Sequence, residues 1–237
     1  MAVAVLQEKE YWRIFHLIRG DVEAAVKSNQ TFLAIDNLIV AEPELHLNVN
    51  RFADFWTLNS FALATTFFIA FGRLFDRTKN VLSVEKLLDF TVTNPGLFSK
   101  AALRERKLQV THNQPGTIPD WLDEAVARAW EPTSADLMPL RAALAPYCET
   151  FKKVYGPIRH NYYAHRSKWD EAAISALFSK TQIGEVNEIL RFLHTLIAAI
   201  QELAINGTRP DLANFQDYDA YVARIKRRTE EFIRQLP

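Results

Sequence analysis

A chain of 237 residues, 49% hydrophobic and 24% charged, has the composition of a folded globular protein, which excludes a disordered or collagen-like chain. Lys plus Arg and Asp plus Glu both total 28, so bulk charge draws the chain neither to nucleic acid nor to an anionic membrane, and any polyanion site must be a local patch. The single cysteine, Cys148, excludes an internal disulfide and suits a reducing, cytoplasmic compartment.

Only 7 glycines interrupt long apolar runs of helical period, so few turns and an all-α bundle are expected. The first residues lack a basic stretch followed by an apolar one, so no secretory signal is read there. A first helix is expected from about Leu6 to Val40, with Ile14, Ile18, Val22, Ala25, Val26, Phe32 and Leu33 at helical spacing. Glu42-Pro43 breaks it, because a residue before proline is pushed out of helical geometry.

A second helix is expected over about Leu47–Phe75. Phe52, Phe55, Trp56, Leu63, Phe67, Phe68, Phe71 and Phe75 load it with aromatic surface, fit for a core or for a dimer interface. Its most apolar part, Phe61–Phe75, is shorter than the roughly 20 residues of a membrane span and reads as a core helix. Asp76–Asn80 is a polar turn, and Ser83 suits the N-cap of a short helix ending near Thr93.

From about residue 94 to 132 the character changes. Pro95, Pro115, Pro119 and Pro132 cluster with Gly96 and Gly116, which suggests an insertion carrying short helices over about Leu97–Leu108 and Pro119–Trp130. The whole chain, 1–237, reads as a single helical domain that carries this insertion. A third core helix starts near Thr133 or Ser134, and Pro146 and Pro157 are expected to kink or divide it. Short helical material follows around Trp169–Ser179.

A fourth core helix spans about Ile183–Ile205, closed by Asn206-Gly207. A last amphipathic helix runs from about Asp217 to Gln235, with Tyr221, Val222, Ile225, Thr229, Phe232 and Ile233 expected inside.

Chemistry concentrates between Lys152 and Lys168. This stretch has no Asp or Glu, but carries Lys152, Lys153, Arg159, Arg166 and Lys168, with His160 and His165 and interleaved Tyr155, Tyr162 and Tyr163. Basic groups bind phosphate and aromatic rings stack on bases. A solvated basic face with tyrosines in the core fits the same pattern.

Arg159 and His165 are more specific. RNA carries its own nucleophile, the 2′-OH, so it can be cut without metal. A histidine can move the proton, and a guanidinium can hold the charge that grows on the phosphate. If the segment were an α-helix, six residues would set the two side chains about 120° apart. One copy would then make a poor site, whereas two copies facing across a twofold axis would make a composite one.

The segment resembles the R-x(4–6)-H motif of the HEPN superfamily, with His160 as the polar residue after the arginine. The chain as a whole is similar to the AbiU-like, abortive-infection branch of that superfamily. Further points of likeness are Asp76-Arg77 closing an apolar helix, the Ser83-Val-Glu-Lys-Leu-Leu helix after it, and Tyr163-Ala-His165-Arg166. The resemblance implies a four-helix up-and-down bundle with extra helices, paired as a homodimer. It also implies a metal-independent ribonuclease that needs no cofactor and acts in phage defence or as the toxin of a toxin–antitoxin pair.

Carried over by position, Arg159 and His165 would be catalytic and His160 and Asn161 supporting. Lys152, Lys153, Tyr163, Arg166 and Lys168 would contact RNA. Some members carry a partner-modified tyrosine two residues past the final histidine. This chain has Ser167 there, so that form of control is not expected. Two other readings stay open. One is a non-catalytic HEPN dimer that binds a nucleotide, RNA or a protein. The other is a plain helical interaction protein in which Arg159 and His165 are buried and paired within one protomer.

His16, His46, His112 and His194 lack metal-ligand spacing and read as structural. Cys148 reads as a small core residue. Arg224, Lys226, Arg227 and Arg228 precede Glu230 and Glu231 and read as a solvated helix face. Lys100, Arg104, Arg106 and Lys107 could extend an RNA groove by charge alone.

Overall fold

A computed structural model describes residues 2–111, 118–164 and 171–235. His112, His165, Arg166, Ser167, Lys168 and Asp170 lie outside the described residues. Among those described there is no strand, and the fold is an all-α bundle.

Helix α1 (Ala2–Ala41) is the spine. Tyr11, Ile14, Phe15, Ile18, Val22, Ala25 and Val26 are buried along it at three- and four-residue steps. Pro43 sits in the first turn of α2 (Pro43–Arg51), where a missing N–H costs nothing. The expected single helix over Leu47–Phe75 is instead two. Phe52, at φ −121° and ψ 39°, breaks α2 from α3 (Ala53–Leu74). No glycine or proline marks that break.

The two halves of α3 differ. Phe67, Phe68, Ala70, Phe71, Gly72 and Leu74 are buried, and Arg73 holds Asp21 of α1 at 3.0 Å. Phe55, Leu58 and Phe61 are 62%, 66% and 52% exposed. The helix therefore extends beyond the expected Phe61–Phe75 core stretch. By length and composition it is apolar enough to cross a membrane, with 33% of its most apolar window buried.

Helix α4 (Val84–Thr93) starts after Ser83. Ser83 has cap geometry, yet its buried hydroxyl makes no capping hydrogen bond. A 3₁₀ turn (Pro95–Phe98), α5 (Lys100–Thr111) and α6 (Leu122–Arg128) occupy the stretch where short helices were expected. Leu97, Phe98, Leu103 and Leu122 are buried, so this segment is docked on the bundle. Its basic residues are committed within the chain. Lys100 donates to the Ala127 carbonyl, Arg104 pairs with Asp123, Arg106 donates to the Ala204 and Leu97 carbonyls, and Lys107 donates to Asn206.

Helix α7 (Ser134–Thr150) begins with a capping box between Thr133 and Asp136, and Ser134 donates to the Val92 carbonyl of α4. It runs through Pro139 and Pro146 without breaking. Beyond Thr150 the chain winds as a π-helical turn (Phe151–Tyr155), one α turn, α8 (Gly156–Ile158), and a second π-helical turn (Arg159–Ala164).

Helix α9 (Glu171–Phe178) and the buried α10 (Ile183–Asn206) follow. Gly207 closes α10 at φ 65°, and a β-carbon there would lie 2.5 Å from the Ala129 Cβ. Helix α11 (Gln216–Arg234) packs on α1 and α10. Its inner face differs from the expected one: Tyr218 and Ile233 are buried, whereas Phe232 is 61% exposed. Phe232 falls one position outside the stripe formed by Tyr218, Val222, Ile225, Thr229 and Ile233.

Candidate functional site

Pro157 explains the local winding just before the motif segment. In a regular α-helix its ring would collide with the carbonyl four residues earlier. The wider turn over Phe151–Tyr155 replaces that pattern by i→i+5 pairing just before the proline. The inner side of the segment is anchored firmly. Tyr155 and Ile158 are fully buried, Tyr155 donates to Glu185 of α10 at 2.7 Å, and Phe151 stacks on Phe75 at 4.8 Å. Burial first, then Glu185, pushes the Tyr155 phenol up. Lys152, Lys153 and His160 are exposed on the other side.

Arg159 and Tyr163, four residues apart on the second π-helical turn, both lie against α3. They meet Gly72 and Phe68, which are four residues apart on that helix. A β-carbon at residue 72 would stand 2.8 Å from the Arg159 Nε and 2.9 Å from its Cγ. Glycine is thus what lets the arginine lie flat across α3. The Arg159 Nε is buried with no hydrogen-bond partner, and among the described residues Arg159 has no ion pair. Its charge is felt at Asp76, beyond the end of α3. Thr78 holds the Asp76 carboxyl below its ordinary value, and Arg159 and Lys86 add to this.

Tyr163 is half-buried. Its ring stacks on Phe68 at 4.5 Å and lies 6.2 Å from Phe61. Burial, then Tyr162, pushes its phenol up to about 12. It helps line an apolar cavity of about 250 Å³ with Phe32, Leu33, Phe67 and Phe178. One face of this ring is thus taken by Phe68.

A groove of about 490 Å³ runs beside the motif. Phe75, Arg77, Cys148, Phe151, Lys152, Gly156, Pro157, His160 and Asn161 line it. Arg77 is held there by Glu85 at 2.9 Å. Cys148 is buried, and burial pushes its thiol up. The structure therefore brings Lys152, His160 and Asn161 together on one groove, turns Arg159 and Tyr163 toward α3, and leaves Lys153 exposed outside the groove lining. His165, Arg166 and Lys168 are outside the described residues.

The 120° separation supposed an α-helix. Arg159–Ala164 is π-helical, so that angle does not apply. Gly72, Asp76 and Arg77 were not among the expected site residues. Gly72 carried a signal all the same, because a glycine inside a helix costs about 1 kcal/mol and needs a packing reason. Among the described residues, no group of three or more His, Cys, Asp or Glu side chains is placed to hold a metal ion.

The sequence model of a family described as AbiU2, of the HEPN group, matches residues 4–231. No curated protein and no solved structure matches.

Proposed function

The chain belongs to the HEPN family, in its AbiU2 branch, and from that premise we propose that it is a metal-independent endoribonuclease of phage defence or growth arrest, acting as a homodimer. The observation that carries the reading is Arg159. Its side chain is seated against Gly72 and no described carboxylate neutralises it in an ion pair. A purely structural arginine at that depth would be expected to have such a partner.

In this reading a histidine, assigned as His165 from the motif alone, takes the proton of an RNA 2′-OH. The 2′-oxygen bonds to phosphorus while the bond to the 5′-oxygen breaks and that oxygen is protonated. Arg159 holds the charge on the phosphate oxygens. His160 and Asn161 support the phosphate from the neighbouring groove, and Lys152, Lys153, Arg166 and Lys168 hold the backbone. The products are a 2′,3′-cyclic phosphate and a 5′-hydroxyl. No cofactor and no membrane enter this reading.

The second copy is assigned to the exposed face of α2 and α3. Leu47, Phe52, Phe55, Leu58 and Phe61 are 64%, 59%, 62%, 66% and 52% exposed. Single exposed apolar residues are ordinary, but a continuous run marks an interface. Phe61 reaches Tyr163, so a copy docked on this face would bring the two motif segments together.

The test is purified protein on single-stranded RNA with EDTA present. Wild type should cleave, and Arg159→Ala and His165→Ala should each lose about 100-fold or more. Equal cleavage by all three would end the assignment. RNA binding without cleavage would favour the non-catalytic dimer instead.

A further inference from the structure

A second basic cleft lies between α1, α10 and α11 and shares no lining residue with the motif groove. The basic run on α11 divides there into two kinds of residue. Lys226 and Arg227 point to Glu230 and Glu231, at 3.9 Å and 3.7 Å, as a solvated helix face would have them. Arg224 and Arg228, one turn apart, line the cleft instead, and neither has an ion pair among the described residues.

The floor is already organised. Arg19 and Lys27 of α1 share Glu23, at 2.9 Å and 3.1 Å. One carboxylate thus serves two cations, and the only other acid on the lining is Asp217. Cations outnumber carboxylates across a volume of about 650 Å³. The His194 ring opens onto the same space, and its Nδ1 is buried without a hydrogen-bond partner. Burial holds that imidazole below its ordinary value, with Asp217 and Glu23 pulling the other way.

Tyr221 shapes what can bind. His194 stacks on it at 5.2 Å and 23°, and the Arg224 guanidinium lies 5.2 Å over its ring. With these two groups on its ring, Tyr221 is poorly placed to stack on a base. The recognition left to the cleft is charge and hydrogen bonding. Two guanidinium forks one helical turn apart suit an anion longer than one carboxylate.

We infer that this cleft binds an oligophosphate, either a free polyphosphate or the phosphate chain of a nucleotide, through Arg224, Arg228 and Lys27, without reading a base. The inference does not rest on the nuclease reading, and its test needs no RNA cleavage.

The test is calorimetric titration of the full chain with inorganic tripolyphosphate, ATP and UTP. All three should bind within about threefold of one another, since the shared phosphates supply the contacts. Arg224→Gln and Arg228→Gln should each weaken tripolyphosphate binding about tenfold or more, while Lys226→Gln and Arg227→Gln stay within about twofold. Both targets are exposed, so loss of binding will not reflect unfolding, and a thermal melt of each variant checks this. Three results would overturn the inference: no wild-type binding at millimolar tripolyphosphate, equal binding by Arg228→Gln, or a preference of about tenfold or more for one nucleotide over tripolyphosphate. Binding of an RNA oligonucleotide through Arg224 and Arg228 with no binding of tripolyphosphate would also overturn it, in favour of an RNA backbone site.

Discussion

Replacing Gly72 by alanine separates the placement of Arg159 from the stability of the bundle. The new β-carbon would stand 2.8 Å, 2.9 Å and 3.1 Å from the Nε, Cγ and Cδ of Arg159, so the arginine must leave its seat. Forcing a side chain away from its rotamer costs about 0.5–1.5 kcal/mol. Alanine in place of a helical glycine returns about 1 kcal/mol. These terms nearly cancel, so Gly72→Ala should unfold within about 4 °C of wild type. Its RNA cleavage should nonetheless fall about 100-fold, because a transition-state donor that is off position is close to a donor removed. Thermal unfolding and single-stranded RNA cleavage with EDTA, on the same preparations, give both numbers. Wild-type cleavage by Gly72→Ala would refute the claim that this glycine positions the arginine. A large loss of stability would show that the Arg159 seat belongs to the core rather than to the site.

Other outcomes follow from the same packing. Gly207→Ala meets both a left-handed backbone and the Ala129 side chain, so it should lower stability by about 2 kcal/mol or more, read by denaturant unfolding. Phe71→Ala removes a fully buried ring that contacts Phe67, Phe75, Phe151 and Tyr155, and should cost about 3–5 kcal/mol by the same measurement. Asp76 has its folded value held below 3.8, so its stabilisation is complete above that value and is lost as pH falls through the lower folded one. In Asp76→Asn the fall in stability below pH 3.8 should be shallower than in wild type, and an unchanged acid limb would contradict that assignment. Leu58→Asp changes a residue 66% exposed in one copy, so it should leave the helical spectrum intact and shift sedimentation from dimer to monomer. A monomeric wild type would remove the α3 interface.

Helix order, the stop at Gly207 and the start at Thr133 could be read from spacing and capping chemistry, because those signals are local. The break at Phe52 could not be, since no glycine or proline marks it. Phe232 was expected inside and is exposed, and Tyr218, which the spacing did not single out, is buried, because two adjacent apolar residues at the end of α11 cannot both face the bundle. Pro146 was expected to kink or divide its helix, yet α7 continues through it, whereas Pro157 does stand beside a change of winding whose form depended on tertiary anchors. Tyr155 and Ile158 hold the chain on course, so it widens into π-helical turns instead of breaking.

At the site, Arg159 was legible as a residue type in an acid-free run, while its seat was not, since Gly72 is 87 positions away in the chain. The split of the α11 basic run was equally hidden. Lys226, Arg227, Arg224 and Arg228 look alike in sequence, and only the cleft distinguishes them.

The most direct test is the chemistry of the cut ends. A single-stranded RNA incubated with the purified protein in EDTA, then read by mass spectrometry, should yield a 2′,3′-cyclic phosphate on one fragment and a 5′-hydroxyl on the other, and a 2′-deoxy nucleotide at the cut position should block it. Fragments with a 3′-hydroxyl and a 5′-phosphate, or cleavage that survives the 2′-deoxy substitution, would contradict the account.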